Sequence, residues 1–238
     1  LSLVGSEMCI RDRDGTLLNF EKSERRAFDK TMETCGIPAG EELYRKYTRF
    51  CDALWEEYDL ENTGSAYIQK NYHDLYRQYA DRRFAGLEKE LSTGKTPEEM
   101  NRIFSQRYIE ESVPEPGASE VCRYLSRNYK LVLATNGLEA IQKPRTSMFH
   151  EYISHIFTSE GVGAIKPSPD FFACICNTLG VTSPASCLMV GDSLTNDIAG
   201  AAAAGMKTCW YHPGKSAAGC GANPDYGISG LAELIHIL

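Results

Sequence analysis

The sequence predicts an α/β protein: a parallel sheet with helices on both faces, interrupted near its start by an all-helical insertion. Three observations carry this. Past residue 113, short apolar runs alternate with segments of helical periodicity, the rhythm of strands joined by crossover helices. Residues 20–112 are charged, aromatic-rich and helical in spacing, with no alternating strand pattern. Val113-Pro114-Glu115-Pro116-Gly117, a stiff linker, separates the two regimes. The predicted domains are therefore 1–19 with 113–238, and 20–112.

The insertion reads as a series of helices. Phe28, Met32 and Cys35 share one helix face, and Gly36-Ile37-Pro38 ends that helix. Glu41–Tyr58 is amphipathic, with Leu43, Tyr47, Phe50, Leu54 and Tyr58 along one side. A further helix runs from about Tyr67 to Leu87. Thr96-Pro97-Glu98-Glu99 is a capping box with Pro at the first helical position, predicting a helix that reaches Glu111.

In the second region, strands are predicted at Leu131–Ala134, Ile156–Thr158, Cys187–Val190 and Lys207–Trp210. Helices are predicted at Leu138–His150, Pro169–Leu179 and Ile198–Ala204. Pro144 falls inside the first of these and predicts that it is short or broken, because an interior Pro costs about 3 kcal/mol. Gly214–Gly227 is small and polar and reads as a loop.

Composition narrows the function. The 238 residues suffice for one or two domains with a full core. With 42% hydrophobic and 24% charged residues, wholesale disorder is excluded. No apolar run approaches the ~18 residues of a membrane span. A net charge of −7 is a poor footprint for nucleic acid, so any anion site must come from a few Lys, backbone N–H groups or a metal. The 9 cysteines include no C-x-x-C pair and read as thiols of a reducing cytoplasm.

Four polar clusters stand where strands end. They are Asp12-Arg13-Asp14-Gly15-Thr16, Thr135-Asn136-Gly137, Lys166-Pro167, and Gly191-Asp192-Ser193 with Asp197 beyond it. Singly each is weak: the first two are common turn chemistry, a loop Lys is ordinarily solvated, and Asp at a helix start is ordinarily a cap. Together they gain weight, because ligands of parallel sheets bind at the carboxyl ends of the strands. Asp12 and Asp14, two residues apart on an extended segment, face the same side.

This set of motifs resembles the haloacid dehalogenase-like (HAD) hydrolase superfamily. Asp12-x-Asp14-Gly15-Thr16 matches its first motif, Thr135-Asn136 the second, Lys166 the third, and Gly191-Asp192 with Asp197 the fourth. The resemblance implies a Rossmann-like core with a helical cap inserted after the first motif. It implies Asp12 as nucleophile and Asp14 as general acid/base, with Thr135, Asn136 and Lys166 binding phosphate. Mg²⁺ would be held by Asp12, the backbone carbonyl of Asp14, and Asp192, with Asp197 and Gly191 in support. Asp14 argues for a phosphatase, since dehalogenases of this superfamily lack a second Asp there and need no metal.

Leu54-Trp55-Glu56-Glu57-Tyr58, Gly64, and Ser159-Glu160-Gly161-Val162-Gly163 ahead of Lys166-Pro167 resemble the pyrimidine 5′-nucleotidase branch. That implies a small-molecule phosphate monoester, a nucleoside monophosphate, as substrate, with neither nucleic acid nor membrane as partner. Phe20, Trp55 and Tyr58 are its candidate cap contacts, although aromatics at helical spacing are ordinarily core. Two alternatives stand: a sugar-phosphate phosphatase or phosphoglucomutase-like enzyme of the same fold, and a non-catalytic binding protein on that scaffold.

The N-terminus departs from the pattern. Residues 3–12 resemble the translation of a sequencing-library adapter. A strand buried on both faces should be almost continuously apolar, yet the approach to the first motif reads Glu7-Met8-Cys9-Ile10-Arg11, and Arg13 is expected to point into the core.

Overall fold

A computed structural model describes residues 8–12, 14–87, 94–214 and 223–238. The readings of Glu7 and Arg13 lie outside these residues. The chain divides into two compact units, Leu1–Asn19 with Pro114–Leu238, and Phe20–Val113.

The helical unit contains α1 (Phe20–Thr34), α2 (Glu41–Glu57), α3 (Ala66–Arg82) and α4 (Pro97–Glu110). The Thr96 capping box forms: Glu99 N donates to Thr96 Oγ1 at 3.3 Å, and Thr96 N donates to Glu99 Oε2 at 2.8 Å. Aromatic side chains build the core. Tyr47 meets Phe28 at 4.9 Å and Phe84 at 5.1 Å, and Phe84 meets Phe104 at 5.7 Å, centroid to centroid. The helix predicted to reach Leu87 stops at Arg82, and a separate 3₁₀ turn, Ala85–Leu87, completes the segment.

The other unit is a six-stranded parallel sheet in the order β3-β2-β1-β4-β5-β6. Its strands are β1 (Met8–Arg11), β2 (Lys130–Thr135), β3 (Ile153–Thr158), β4 (Cys187–Gly191), β5 (Lys207–Tyr211) and β6 (Tyr226–Ile228). Its helices are α5 (Ala118–Leu125), α6 (Glu139–Arg145), α7 (Ser159–Val162), α8 (Pro169–Leu179), α9 (Gly200–Ala203) and α10 (Leu234–Ile237). Alternation along β2 sends Leu131 and Leu133 to one face, with Val121 and Leu125 of α5, and Val132 and Ala134 to the other, with Phe171 and Phe172 of α8. Both faces are covered, as the continuous apolar run requires.

β1 is central despite its poor reading as a buried strand. Cys9 pairs with Leu131 on one side and Leu188 on the other, and Ile10 is fully buried. The chain leaves β1 toward β2 and returns on the far side at β4. The crevice at this reversal is where open α/β sheets bind ligands.

Several elements differ from expectation. The helix predicted at Leu138–His150 is the seven-residue α6 followed by a 3₁₀ turn at Ser147–Phe149, with Pro144 at the break. The helix predicted from Ile198 begins at Leu194 as a wide π turn, Leu194–Ala199. β3 starts at Ile153, ahead of the predicted Ile156, because Ser154 and His155 occupy its exposed end. Tyr226–Ile228 pairs with β5 instead of looping; three residues are too few to show a period. Among the described residues, the cysteines at 35, 51, 122, 174, 176, 187 and 209 form no disulfide, and no helix is long and apolar enough to cross a membrane.

Candidate active site

Asp12 follows β1 and continues its pairing, donating from its backbone N to Val190 O at 2.8 Å. The chain then turns at Gly15, whose φ is +78° and whose N donates to Leu18 O at 2.9 Å. Leu17 and Leu18, both fully buried, fasten this turn to the core. Asp192, after β4, lies against it: a Cβ on Gly15 would stand 2.5 Å from Asp192 Oδ2. A side chain on Gly191 would likewise run into the carboxylate of Asp197. Glycine at these two positions leaves room for the two carboxylates.

Asp197 is fully buried in the π turn after β4. Ser193 caps that turn by accepting from Asn196 N at 3.1 Å, and Ser193 N donates to Asp197 Oδ2 at 3.1 Å. Oxygens of Asp12, Asp192 and Asp197 all lie within 4.8 Å of one another. Trp210, from the neighbouring β5, steadies this edge by donating to Asp192 O at 3.0 Å.

Lys166 joins the carboxylates. Its Nζ donates to Asp12 Oδ1 at 2.5 Å, to Asp197 Oδ1 at 2.6 Å and to Ala134 O at 2.9 Å, one acceptor for each ammonium hydrogen. Asn136 holds the Lys166 backbone from both sides: Asn136 Nδ2 donates to Lys166 O at 3.0 Å, and Lys166 N donates to Asn136 Oδ1 at 2.8 Å. The sequence reading gave Asn136 to the phosphate; here its amide grips the loop that carries the lysine. Thr135, at the end of β2, donates to Asn136 O at 3.3 Å.

Burial dominates the electrostatics. It pushes the Asp12 carboxyl up to about 7 against the pull of Lys166, with Asp197 adding to the rise. Asp197 is raised for the same first reason, again against Lys166. Burial alone would lower Lys166, but Asp12 and Asp197 outweigh it and hold the ammonium above its ordinary value. The cluster is therefore a fixed cation between carboxylates that compete for protons.

The matching family is that of the haloacid dehalogenase-like hydrolases, over residues 7–205. The chain belongs to this family. Among relatives of the HAD hydrolase, the pyrimidine 5′-nucleotidase PynA of Streptococcus pneumoniae is 28% identical over 235 residues, covering 95% of this chain and 92% of the relative. The pyrimidine 5′-nucleotidase YjjG of Escherichia coli is 27% identical over 229 residues, covering 95% of each. The crystal structure of the HAD-hydrolase YfnB from Bacillus subtilis bound to magnesium superposes with a TM-score of 0.81 at 27% identity, covering 98% of each chain.

The HAD hydrolase thus brings Asp12, Lys166, Asp192 and Asp197 into one cluster, buried except at the half-buried Asp192, with Asn136 and Thr135 on its border. Asp14 faces a partner that the sequence reading missed. Arg145 Nη1 stands 2.9 Å from Asp14 Oδ1 and donates to Oδ2 at 3.1 Å. Gln142, on the same helix α6, was also missed; its Nε2 donates to Asn136 O at 2.9 Å and to Thr135 Oγ1 at 3.5 Å. A polar residue on each of two successive turns of a short helix after the second motif is the faint signal that points to them.

The candidate cap residues sit within the helical unit. Trp55 is half-buried, edge-on to Tyr79 at 5.2 Å, and donates from Nε1 to Glu61 at 3.4 Å. Tyr58 lies under the Arg82 guanidinium at 5.7 Å. Phe20 is 45% exposed beside Tyr108.

Proposed function

We propose that this HAD hydrolase is a Mg²⁺-dependent phosphomonoesterase that works through an aspartyl-phosphate, with pyrimidine nucleoside monophosphates as substrates. The observation that carries the reading is the buried Asp12, held by Lys166 inside a group of three carboxylates. Such a cluster repels a phosphate dianion unless a cation joins it. Oxygen donors this close suit a hard divalent ion, and Asp12, Asp192 and the Asp14 backbone carbonyl would hold it, with Asp197 in support. When bound, Mg²⁺ supplies charge neutralisation and orientation of the phosphoryl group.

A carboxylate oxygen of Asp12 attacks phosphorus, forming the Asp12–phosphoryl bond as the bond to the leaving oxygen breaks. Asp14 gives that oxygen its proton. Asp14 then takes a proton from water, which attacks phosphorus and releases phosphate from Asp12. Lys166 holds Asp12 in line through Oδ1, and the Thr135 hydroxyl turns from Asn136 O to donate to a phosphoryl oxygen. The preference for pyrimidine nucleotides is supported by the names of PynA and YjjG.

The test is phosphate release from a panel of nucleoside monophosphates, sugar phosphates and phosphoglycolate, with Mg²⁺ or with EDTA. Release from pyrimidine nucleotides, lost in EDTA and in Asp12→Asn, is the expected result. No release from any monoester would overturn the reading; preference for sugar phosphates would overturn the nucleotidase part alone.

A further inference from the structure

We infer that Arg145 is the positioning residue for Asp14, fixing the carboxyl group through which protons pass in both halves of the reaction. The inference rests on the phosphomonoesterase reading above.

The Arg145 side chain has no exposure, whereas Asp14 keeps 26%. The guanidinium therefore holds its partner from inside the protein while the carboxylate still meets solvent. A buried charge is costly, and an apolar residue would fill the same space more cheaply. What the guanidinium adds is a charged donor: one nitrogen, Nη1, reaches both oxygens of the Asp14 carboxylate, which an aliphatic side chain cannot do. Nη1 lies 2.9 Å from one Asp14 oxygen and 3.1 Å from the other, which centres it on the carboxylate.

The anchor is itself well placed. Arg145 ends α6, and Gln142 one turn earlier bonds Thr135 and Asn136. One short helix therefore sets both the end of β2 and the Asp14 carboxylate. Pro144 and the following 3₁₀ turn close α6 at this residue. Proton transfer demands a carboxyl group at hydrogen-bond distance from the leaving oxygen, and a small misplacement forfeits much of the rate.

A positioning role differs from a purely structural one in its dependence on the leaving group. An aryl phosphate such as p-nitrophenyl phosphate expels a stable phenolate and needs little protonation. A nucleoside monophosphate expels an alkoxide and needs a proton. The experiment compares wild type, Arg145→Lys and Arg145→Gln on both substrates with Mg²⁺, reading single-turnover phosphoryl transfer, kcat, KM and melting temperature. The expected result is a loss on the order of 10²-fold or more in transfer from the nucleotide. The aryl phosphate should lose less than about tenfold in the same step, KM should hold, and Lys should fall between Arg and Gln.

Equal losses on the two substrates, or none, would overturn the inference while leaving the phosphomonoesterase reading intact. A wild-type protein that cleaves neither substrate would overturn both. If Arg145→Gln does not fold, Arg145→Lys carries the comparison. Asp14→Asn supplies a further check: adding Arg145→Lys to it should leave the leaving-group ratio unchanged, and a further change would count against the inference.

Discussion

Lys166 binds Asp197 at 2.6 Å with the same ammonium that holds Asp12, so one buried cation ties the end of β1 to the turn after β4. Replacing Lys166 with Met keeps most of the volume and removes the charge. Two buried carboxylates then lose their shared partner, and breaking a buried pair in this way costs about 3–5 kcal/mol. Urea unfolding of Lys166→Met should show a lower midpoint at neutral pH, together with loss of phosphate release. An unchanged midpoint would mean that the ammonium contributes no net stability.

The raised Asp12 carboxyl gives a pH dependence with a definite sign. Its ordinary value of 3.8 rises to about 7 in the folded protein, and Asp197 shifts the same way. Between these values the folded state binds more protons than the unfolded chain, so metal-free stability falls as pH rises through that window. A divalent ion bound there would favour the ionised carboxylates and offset the loss. The melting-temperature gain from Mg²⁺ should therefore grow from pH about 5 to about 8. A gain that shrinks over this range would contradict the arrangement.

Gly15 tests the closeness of the first motif to Asp192. At φ +78°, alanine pays roughly 1–2 kcal/mol for the backbone alone. Its Cβ would also press on the Asp192 carboxylate from 2.5 Å. Gly15→Ala should lower the melting temperature modestly and raise the Mg²⁺ concentration needed for half-maximal activity several-fold. A stability loss with unchanged Mg²⁺ dependence would show that Asp192 does not contact the ion.

The legibility of this molecule in its sequence follows the range of each signal. The Thr96 capping box and the apolar strand Leu131–Ala134 declare themselves within a few residues, and both form. The polar clusters were visible because each ends a strand or opens a turn. β1 was hard to read because Met8-Cys9-Ile10-Arg11 is not a continuous apolar run; its place comes from the pairing of β2 and β4 on its two sides. The Arg145–Asp14 pair joins residues 131 apart, and the polar spacing of Gln142 and Arg145 on α6 does not reveal which residue Arg145 meets. The bonds of Asn136 to the Lys166 backbone are hidden for the same reason: the two residues lie 30 apart in sequence.

Asn136 therefore separates two accounts of the second motif. If its amide bound phosphate, Asn136→Ala would mainly raise KM and weaken inhibition by inorganic phosphate. The structure instead spends that amide on Lys166 N and O. Losing both bonds, at about 1 kcal/mol each, loosens the loop that delivers the Nζ to Asp12. The expected result is a kcat reduced by about tenfold or more with KM nearly constant, because misplacing Lys166 harms the transition state more than substrate binding. Asn136→Asp should behave like Ala: it can still accept from Lys166 N, but it cannot donate to Lys166 O and adds a negative charge beside the carboxylates. Steady-state kinetics on both variants, with phosphate inhibition measured alongside, decides between the accounts.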